Sequence, residues 1–241
     1  MEFYGFLSRI WNTKLFKLIL LLYVYYFSYT YHKDVTIYLS DAPVTPIIPR
    51  DYWLNSIPEL ELLEKNWKVI LNEYKSIQKL TTSIKGDLCF KTIIKDDKWK
   101  KFYIKWYSDI KPNIRKQLPQ TCKILDMCPS IQLAMFSIMT PGSVVTPHKG
   151  PYNGALRGHL GLQCPSKSDG CAIKINGCEY GWNNGKLIVW DDTFTHSVKN
   201  DSQSDRVILF VDISRPLKPG LLSTCVKKCG HFVASFTKRD N

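Results

Sequence analysis

IQLAMFSIM, at residues 131–139, is almost wholly apolar and stops at Pro141-Gly142. The same pattern recurs down the chain. GALRGHLGLQ (154–163) stops at Pro165, CAIKI (171–175) at Asn176-Gly177, KLIVW (186–190) at Asp191-Asp192, and RVILFVDI (206–213) just before Pro216. Runs of this length, rich in Ile, Val and Leu and bounded by Pro, Gly and Asn, have strand dimensions, and no long helical repeat separates them. The spacing predicts a β-sandwich or jelly-roll barrel, in which alternate side chains point inward and ligands come from facing strands.

Upstream of this region the texture differs. Ser56-Ile57-Pro58-Glu59 matches a capping box, and Leu60, Leu63, Trp67, Ile70, Leu71 and Tyr74 recur at helical spacing, which predicts one amphipathic helix. Between residues 91 and 123 ten basic residues face three acidic ones, interleaved with Trp99, Phe102, Tyr103, Trp106 and Tyr107. Such a stretch could meet nucleic acid or anionic head groups, but no nucleic-acid motif accompanies it. The simpler reading is a solvated face over packed aromatics, and nucleic acid is not expected as a partner.

At the N-terminus, LFKLILLLYVYYFSYTY (15–31) is broken only by Lys17. It is short for a span, but Lys17 can snorkel and the tyrosines suit an interface. No small-x-small cleavage site follows, so an uncleaved signal anchor is expected. Arg9, Lys14 and Lys17 precede the run and Lys33 alone closely follows it, which places the N-terminus in the cytosol and the body across the membrane. Residues 1–33 are thus expected as cytosolic tail and anchor helix of a single-pass type II protein. Residues 34–52, with Pro43, Pro46 and Pro49, are expected as linker, 53–218 as the body in an endoplasmic-reticulum-like lumen or other extracytoplasmic space, and 219–241 as a tail. Eight cysteines suit that compartment. Cys225, Cys229 and His231 have the wrong spacing for a common zinc finger.

The 241 residues carry a net charge of +12 and 44% hydrophobic residues, enough for one sizeable core but not for two ordinary enzyme domains. With 13% aromatics and only 13 Gly and 13 Pro, disordered and collagen-like classes are excluded.

Three of the five histidines, His148, His159 and His196, fall among the predicted strands. His148 and His196 could converge on a borderline metal such as Fe(II) and leave other positions open. Arg157 and His159 lie two apart in a strand and so share a face. Arg206 opens an apolar strand, where a buried cation is costly unless it meets an anion. A bound dicarboxylate would supply one; pairing of Arg157 and Arg206 with Asp191, Asp192 or Asp212 is the alternative. Asp192 could also steady His196 or simply cap a strand end.

The run SIMTPGSVVTPHKGPYNGALRGHLGL, then CAIKINGCEYGWNNGKLIVWDDTFTHSVKN, then DRVILFVDISRP, resembles the aspartyl/asparaginyl β-hydroxylase family of Fe(II)/2-oxoglutarate oxygenases. The resemblance spans about residues 53–218 and is most specific over 137–216. It implies a mainly β fold with flanking α, a double-stranded β-helix of the jelly-roll or cupin kind. It also implies iron ligands at His148 and His196, 2-oxoglutarate contacts from Ser137, Arg157, His159 and Arg206, and O2 as the oxidant. The implied activity is hydroxylation of a protein or peptide side chain of Asp/Asn type, with a lipid acyl chain as alternative substrate. A silent metal- or partner-binding barrel is a further alternative. Gly150 stands where most 2-oxoglutarate oxygenases carry a carboxylate, as in this family. Ala155 stands where animal members carry an arginine associated with gripping the target side chain.

Overall fold

The computed structural model describes residues 39–84, 97–107, 109–150, 154–220 and 223–224. The expected anchor, Cys89, Cys225, Cys229 and His231 lie outside these residues. Among the described residues no helix is long and apolar enough to cross a membrane.

Among the described residues, ten strands form two antiparallel sheets. In chain order they are β1 (Thr82–Ser83), β2 (Trp99–Trp106), β3 (Ile131–Met139), β4 (Ser143–His148), β5 (Ala155–Gln163), β6 (Cys171–Ile175), β7 (Cys178–Tyr180), β8 (Leu187–Trp190), β9 (His196–Asn200) and β10 (Arg206–Ser214). One sheet has the order β1-β2-β3-β10-β5-β8, the other β4-β9-β6-β7. From β3 to β10 the chain passes back and forth between the sheets, which is jelly-roll order. Every run read as a strand in the sequence is one.

The larger sheet is buried on both faces, and its alternation sorts two cores. Ala134, Phe136 and Ile138 of β3 and Val207, Leu209, Val211 and Ile213 of β10 face one core, shared with the helices. Leu133, Met135 and Met139 of β3 and Ile208 and Phe210 of β10 face the other, shared with Ile173, Ile175 and Val198 of the smaller sheet. Double burial explains why β3 and β10 read as nearly continuous apolar runs. The site lies in the core between the sheets.

The helices are α1 (Arg50–Ser56), α2 (Glu61–Lys65), α3 (Trp67–Ile77), α4 (Pro112–Gln117) and α5 (Pro119–Asp126). The single helix expected from residue 56 is therefore broken. Pro58 starts a 3-10 turn, and Asn66 (φ −110°, ψ 12°) separates α2 from α3 while its Nδ2 donates to Leu62 O at 2.8 Å. The expected capping box does not form, because Ser56 ends α1 and Ile57 makes no side-chain cap. The apolar spacing nevertheless works in α3, where Ile70, Tyr74 and Ile77 bury one face.

The aromatic part of the basic stretch lies in and just after β2, and residues 112–117 and 119–126 are helical. In β2, Trp99, Phe102, Tyr103 and Ile104 are buried while Lys100 is exposed. The segment read as a linker behaves differently from that expectation. Ser40 bridges Leu217, Ile47 bridges Trp190, and Ile48 N donates to Val189 O at 3.0 Å, so residues 39–48 lie along the barrel. Ala42 and Ile48 are buried there, and β8 gains cover for an otherwise open edge.

Candidate active site

Pro147 cannot donate to a ladder, and around it β4 slips against β9: Val145 pairs with Val198, but His148 pairs with His196. This irregularity sets two imidazoles side by side across the strands, with ring centroids 4.2 Å apart. His148 Nδ1 lies 2.8 Å from Thr146 O and His196 Nδ1 lies 2.9 Å from Phe194 O. A carbonyl only accepts, so each Nδ1 carries a proton; His148 Nε2 then keeps its lone pair, whereas His196 Nε2 lies 3.3 Å from Asp192 Oδ1. Burial, and then His196, hold the His148 pKa below the ordinary histidine value.

The two guanidiniums part company. Arg157 Nη2 donates to Asp192 Oδ2 at 3.0 Å, and its Nε lies 2.6 Å from Asp212 Oδ1. Its plane rests over Phe210, 4.2 Å from the ring centroid. Burial opposes the charge on Arg157, but Asp192 and Asp212 outweigh it and raise its pKa. Arg206 is 1% exposed and has no carboxylate partner among the described residues; its Nε and Nη1 are buried without a hydrogen-bond partner there. It sits over Trp182, 4.9 Å from the ring centroid, and burial lowers its pKa to about 10. Of the pairings considered from sequence, Arg157 takes two, Arg206 takes none, and Asp191 goes instead to Arg215 Nη2 at 2.7 Å.

Trp182 Nε1, which can only donate, reaches His159 Nδ1 at 3.3 Å. His159 therefore carries its proton on Nε2, which is buried and unpartnered. Burial, followed by Arg206 and Arg157, pushes the His159 pKa well below the ordinary value, so the ring is neutral. Ser137, fully buried, accepts from Trp99 Nε1 at 2.8 Å. Most of these groups line one pocket. Ser137, His148, Arg157, His159, His196 and Arg206 all belong to its wall.

Asp192 links Arg157, His196 and the space beside Gly150. Its Oδ1 lies 3.3 Å from His196 Nε2, and a Cβ on Gly150 would fall 1.7 Å from its Oδ2. The Asp192 carboxylate therefore fills the space that a side chain at position 150 would need. Among the described residues no cluster of three His, Cys, Asp or Glu side chains comes together as a ready metal cage.

Sequence reasoning missed Trp182, which orients His159, and Tyr107, whose hydroxyl donates to Asp212 at 2.9 Å. Tyr107 adopts φ 44°, uncommon for a bulky residue, where β2 ends. Neither role had a local signal, since each depends on a partner more than twenty residues away.

The family description Aspartyl/Asparaginyl beta-hydroxylase matches residues 64–216. The chain belongs to that family. A Rhizobium tropici ornithine lipid ester-linked acyl 2-hydroxylase is 37% identical over 63% of this chain and 52% of its own length. The Xenopus tropicalis aspartate beta-hydroxylase domain-containing protein 2 is 30% identical over 76% of this chain and 51% of its own. Human aspartyl/asparaginyl beta-hydroxylase is 34% identical over 64% of this chain and 21% of its own. The chain thus spans about half, or less, of these curated relatives. A Pseudomonas putida prolyl-4-hydroxylase structure is 14% identical, with a TM-score of 0.46 over 63% of this chain and 87% of its own.

Proposed function

We propose that this family member is a membrane-tethered Fe(II)/2-oxoglutarate-dependent dioxygenase that hydroxylates an unactivated C–H bond. The observation that carries the reading is the buried Arg206 guanidinium, whose Nε and Nη1 have no hydrogen-bond partner, in the wall of a pocket that His148 and His196 also line. An isolated buried cation costs several kcal/mol, and a dicarboxylate cosubstrate removes that cost through a charge-assisted fork.

The residues fit the expected groups. His148 and His196 would hold iron through Nε2. Arg206 would take the distal carboxylate of 2-oxoglutarate, with Ser137 beside it. Neutral His159 would donate its orphaned Nε2 proton to an oxygen of the same ligand. Asp192, held by Arg157 and filling the space beside Gly150, would orient a water at the metal position. Bound iron, 2-oxoglutarate and O2 together supply the oxidising power for C–H hydroxylation. The apolar walls, Val145, Ile173, Val198 and Phe210, exclude water from the reacting atoms.

For the substrate, a protein or peptide side chain of Asp/Asn type and a lipid acyl chain both follow from the family. The carboxylates around Arg157 count against an Asp side chain and leave a neutral Asn side chain or an acyl chain. The two carboxylate partners of Arg157 already neutralise it, Ala155 adds no cation on the same strand face, and Arg206 is engaged by the cosubstrate. A substrate carboxylate would therefore meet Asp192 and Asp212 without a spare cation, whereas an ester- or amide-linked chain brings no charge. Residues 15–31 are proposed as the tether, with the domain extracytoplasmic. The test is succinate formation with iron and 2-oxoglutarate, followed by a mass-spectrometric screen of lipids and peptides for a gain of one oxygen. Failure to form succinate under any metal condition would eliminate the oxygenase reading.

A further inference from the structure

The barrel has two distinguishable ends, and the pocket runs between them. Arg206 lies at one end, where β10 begins opposite Met139 and near the close of β5 at Gln163. His148, His196 and Asp192 lie toward the other, where β4 and β8 finish and β9 begins. There β10 closes with Ser214 paired to Ala155, and Arg215 N donates to Gly154 O at 3.0 Å.

The first described residues attach at this second end. Lys218 N donates to Leu39 O at 2.8 Å, Asp41 N donates to Pro216 O at 3.0 Å, and Ser40 bridges Leu217. The chain then runs to Ile47, which bridges Trp190, and Asp191 N donates to Pro46 O at 3.1 Å. Residues 39–48 are thus bonded to the rim that carries Asp191 and Asp192. Val44, on this segment, is 51% exposed, and Lys149 and Lys218 are exposed at the same end.

Chain length limits where a bilayer can be. If residues 15–31 enter the membrane, as the proposed function holds, only residues 32–38 separate them from Leu39. Seven residues reach at most about 25 Å fully extended. A folded body of this size is about 40 Å across, so the tether cannot reach around it. We infer that the histidine end of the barrel faces the bilayer, with the Arg206 end turned away. Exposed Val44 is placed to meet the interface, and the aliphatic stems of Lys149 and Lys218 can lie along it. This inference rests on the tether reading and on the attachment of residues 39–48 to the end of the barrel that carries His148 and His196.

The experiment uses the full chain in vesicles of equimolar phosphatidylcholine and phosphatidylglycerol. A benzophenone amino acid is introduced singly at Val44 or Lys218, at the histidine end, or at Ser168 or Asp201, at the Arg206 end. Severalfold more lipid adduct is expected at the first pair than at the second, and a long Gly/Ser spacer inserted after Lys33 should remove most of that excess. Equal labelling of the two ends, a reversed ratio, or an excess that survives the spacer overturns the inference. Release of the protein by carbonate would sink the tether reading and this inference with it. Retention in the vesicles with equal labelling sinks the inference alone, and succinate formation by the detergent-solubilised protein reports separately on the oxygenase reading.

Discussion

Arg206 is the residue on which the cosubstrate assignment turns, because it is deeply buried and lacks the carboxylates that Arg157 has. Arg206→Gln should raise the 2-oxoglutarate requirement at least about tenfold, the factor that ~1.4 kcal/mol represents. Lys should restore only part, since it keeps charge but loses the planar fork. Arg206→Met should stabilise the ligand-free protein by about 1 kcal/mol or more, because it relieves an unpaired buried charge. In the same variant 2-oxoglutarate should no longer raise Tm, while iron binding stays near wild type. A variant that loses iron as completely as a histidine variant would make Arg206 part of the metal site instead. His148→Ala and His196→Ala should each abolish iron-dependent turnover while circular dichroism and cooperative unfolding persist; wild-type turnover in both would remove the metal assignment. At Gly150 even a methyl group collides with the Asp192 carboxylate. Gly150→Ala should therefore displace Asp192 and lower turnover with little effect on the 2-oxoglutarate requirement, a split that steady-state kinetics can read.

Among the elements, α2 is fastened to the sheet by one buried carboxylate. Glu64 accepts a two-pronged contact from Arg50, at 2.7 and 2.6 Å, and the Leu187 N–H at 2.9 Å, so it joins α1, α2 and the start of β8. Burial opposes its charge, but the Arg50 fork and the Leu187 N–H outweigh it and leave the Glu64 pKa below the ordinary value. A depressed carboxylate pKa means that the unfolded chain takes up the proton first as pH falls. The contribution of Glu64 is thus complete above about pH 4.3, its unfolded value, and disappears as pH drops through the lower folded value. Glu64→Gln should cost about 1–2 kcal/mol at neutral pH, discounted because Arg50 is 43% exposed. Urea titrations at neutral and acid pH would show the difference between wild type and variant shrinking as the pH is lowered. The presence of α3 was legible from the spacing of Ile70, Tyr74 and Ile77, but the break at Asn66 was not. Asn66 scores as an ordinary polar position in a helical pattern, and only the bond of its side chain to Leu62 O in the folded chain shows the irregularity.

For the whole molecule, the segment before α1 belongs to the folded body. Ile48 is 2% exposed and its backbone extends the edge of β8. Burying one such side chain contributes about 1.5–3 kcal/mol, and the exposed edge left by its removal invites pairing with another chain. A chain beginning at residue 39 should therefore unfold cooperatively and form succinate. One beginning at residue 53 should lose at least that much stability and tend to aggregate. Thermal unfolding and light scattering distinguish the two; equal stability would mean the segment only rests on the barrel.

The sequence by itself determined the strands, since alternation, apolar runs and Pro/Gly/Asn stops are consequences of local chain geometry. It also singled out His148, His159, His196, Arg157 and Arg206, because such side chains are expensive inside apolar strands and so stand out. It could not tell the two arginines apart. Arg157 and Arg206 both occupy inward positions on strands, yet their partners are set by how β5, β8 and β10 register against one another and by where the turn after β8 places Asp192. The same holds for Tyr107, which meets Asp212 across more than a hundred residues of chain, and for residues 39–48, whose prolines read as a linker until their backbone groups found β8 and the residues after β10. Only the tertiary structure decided which charge is paired and which remains for a ligand, because a buried charge is governed by what surrounds it in space, and strand register, not sequence proximity, supplies those surroundings.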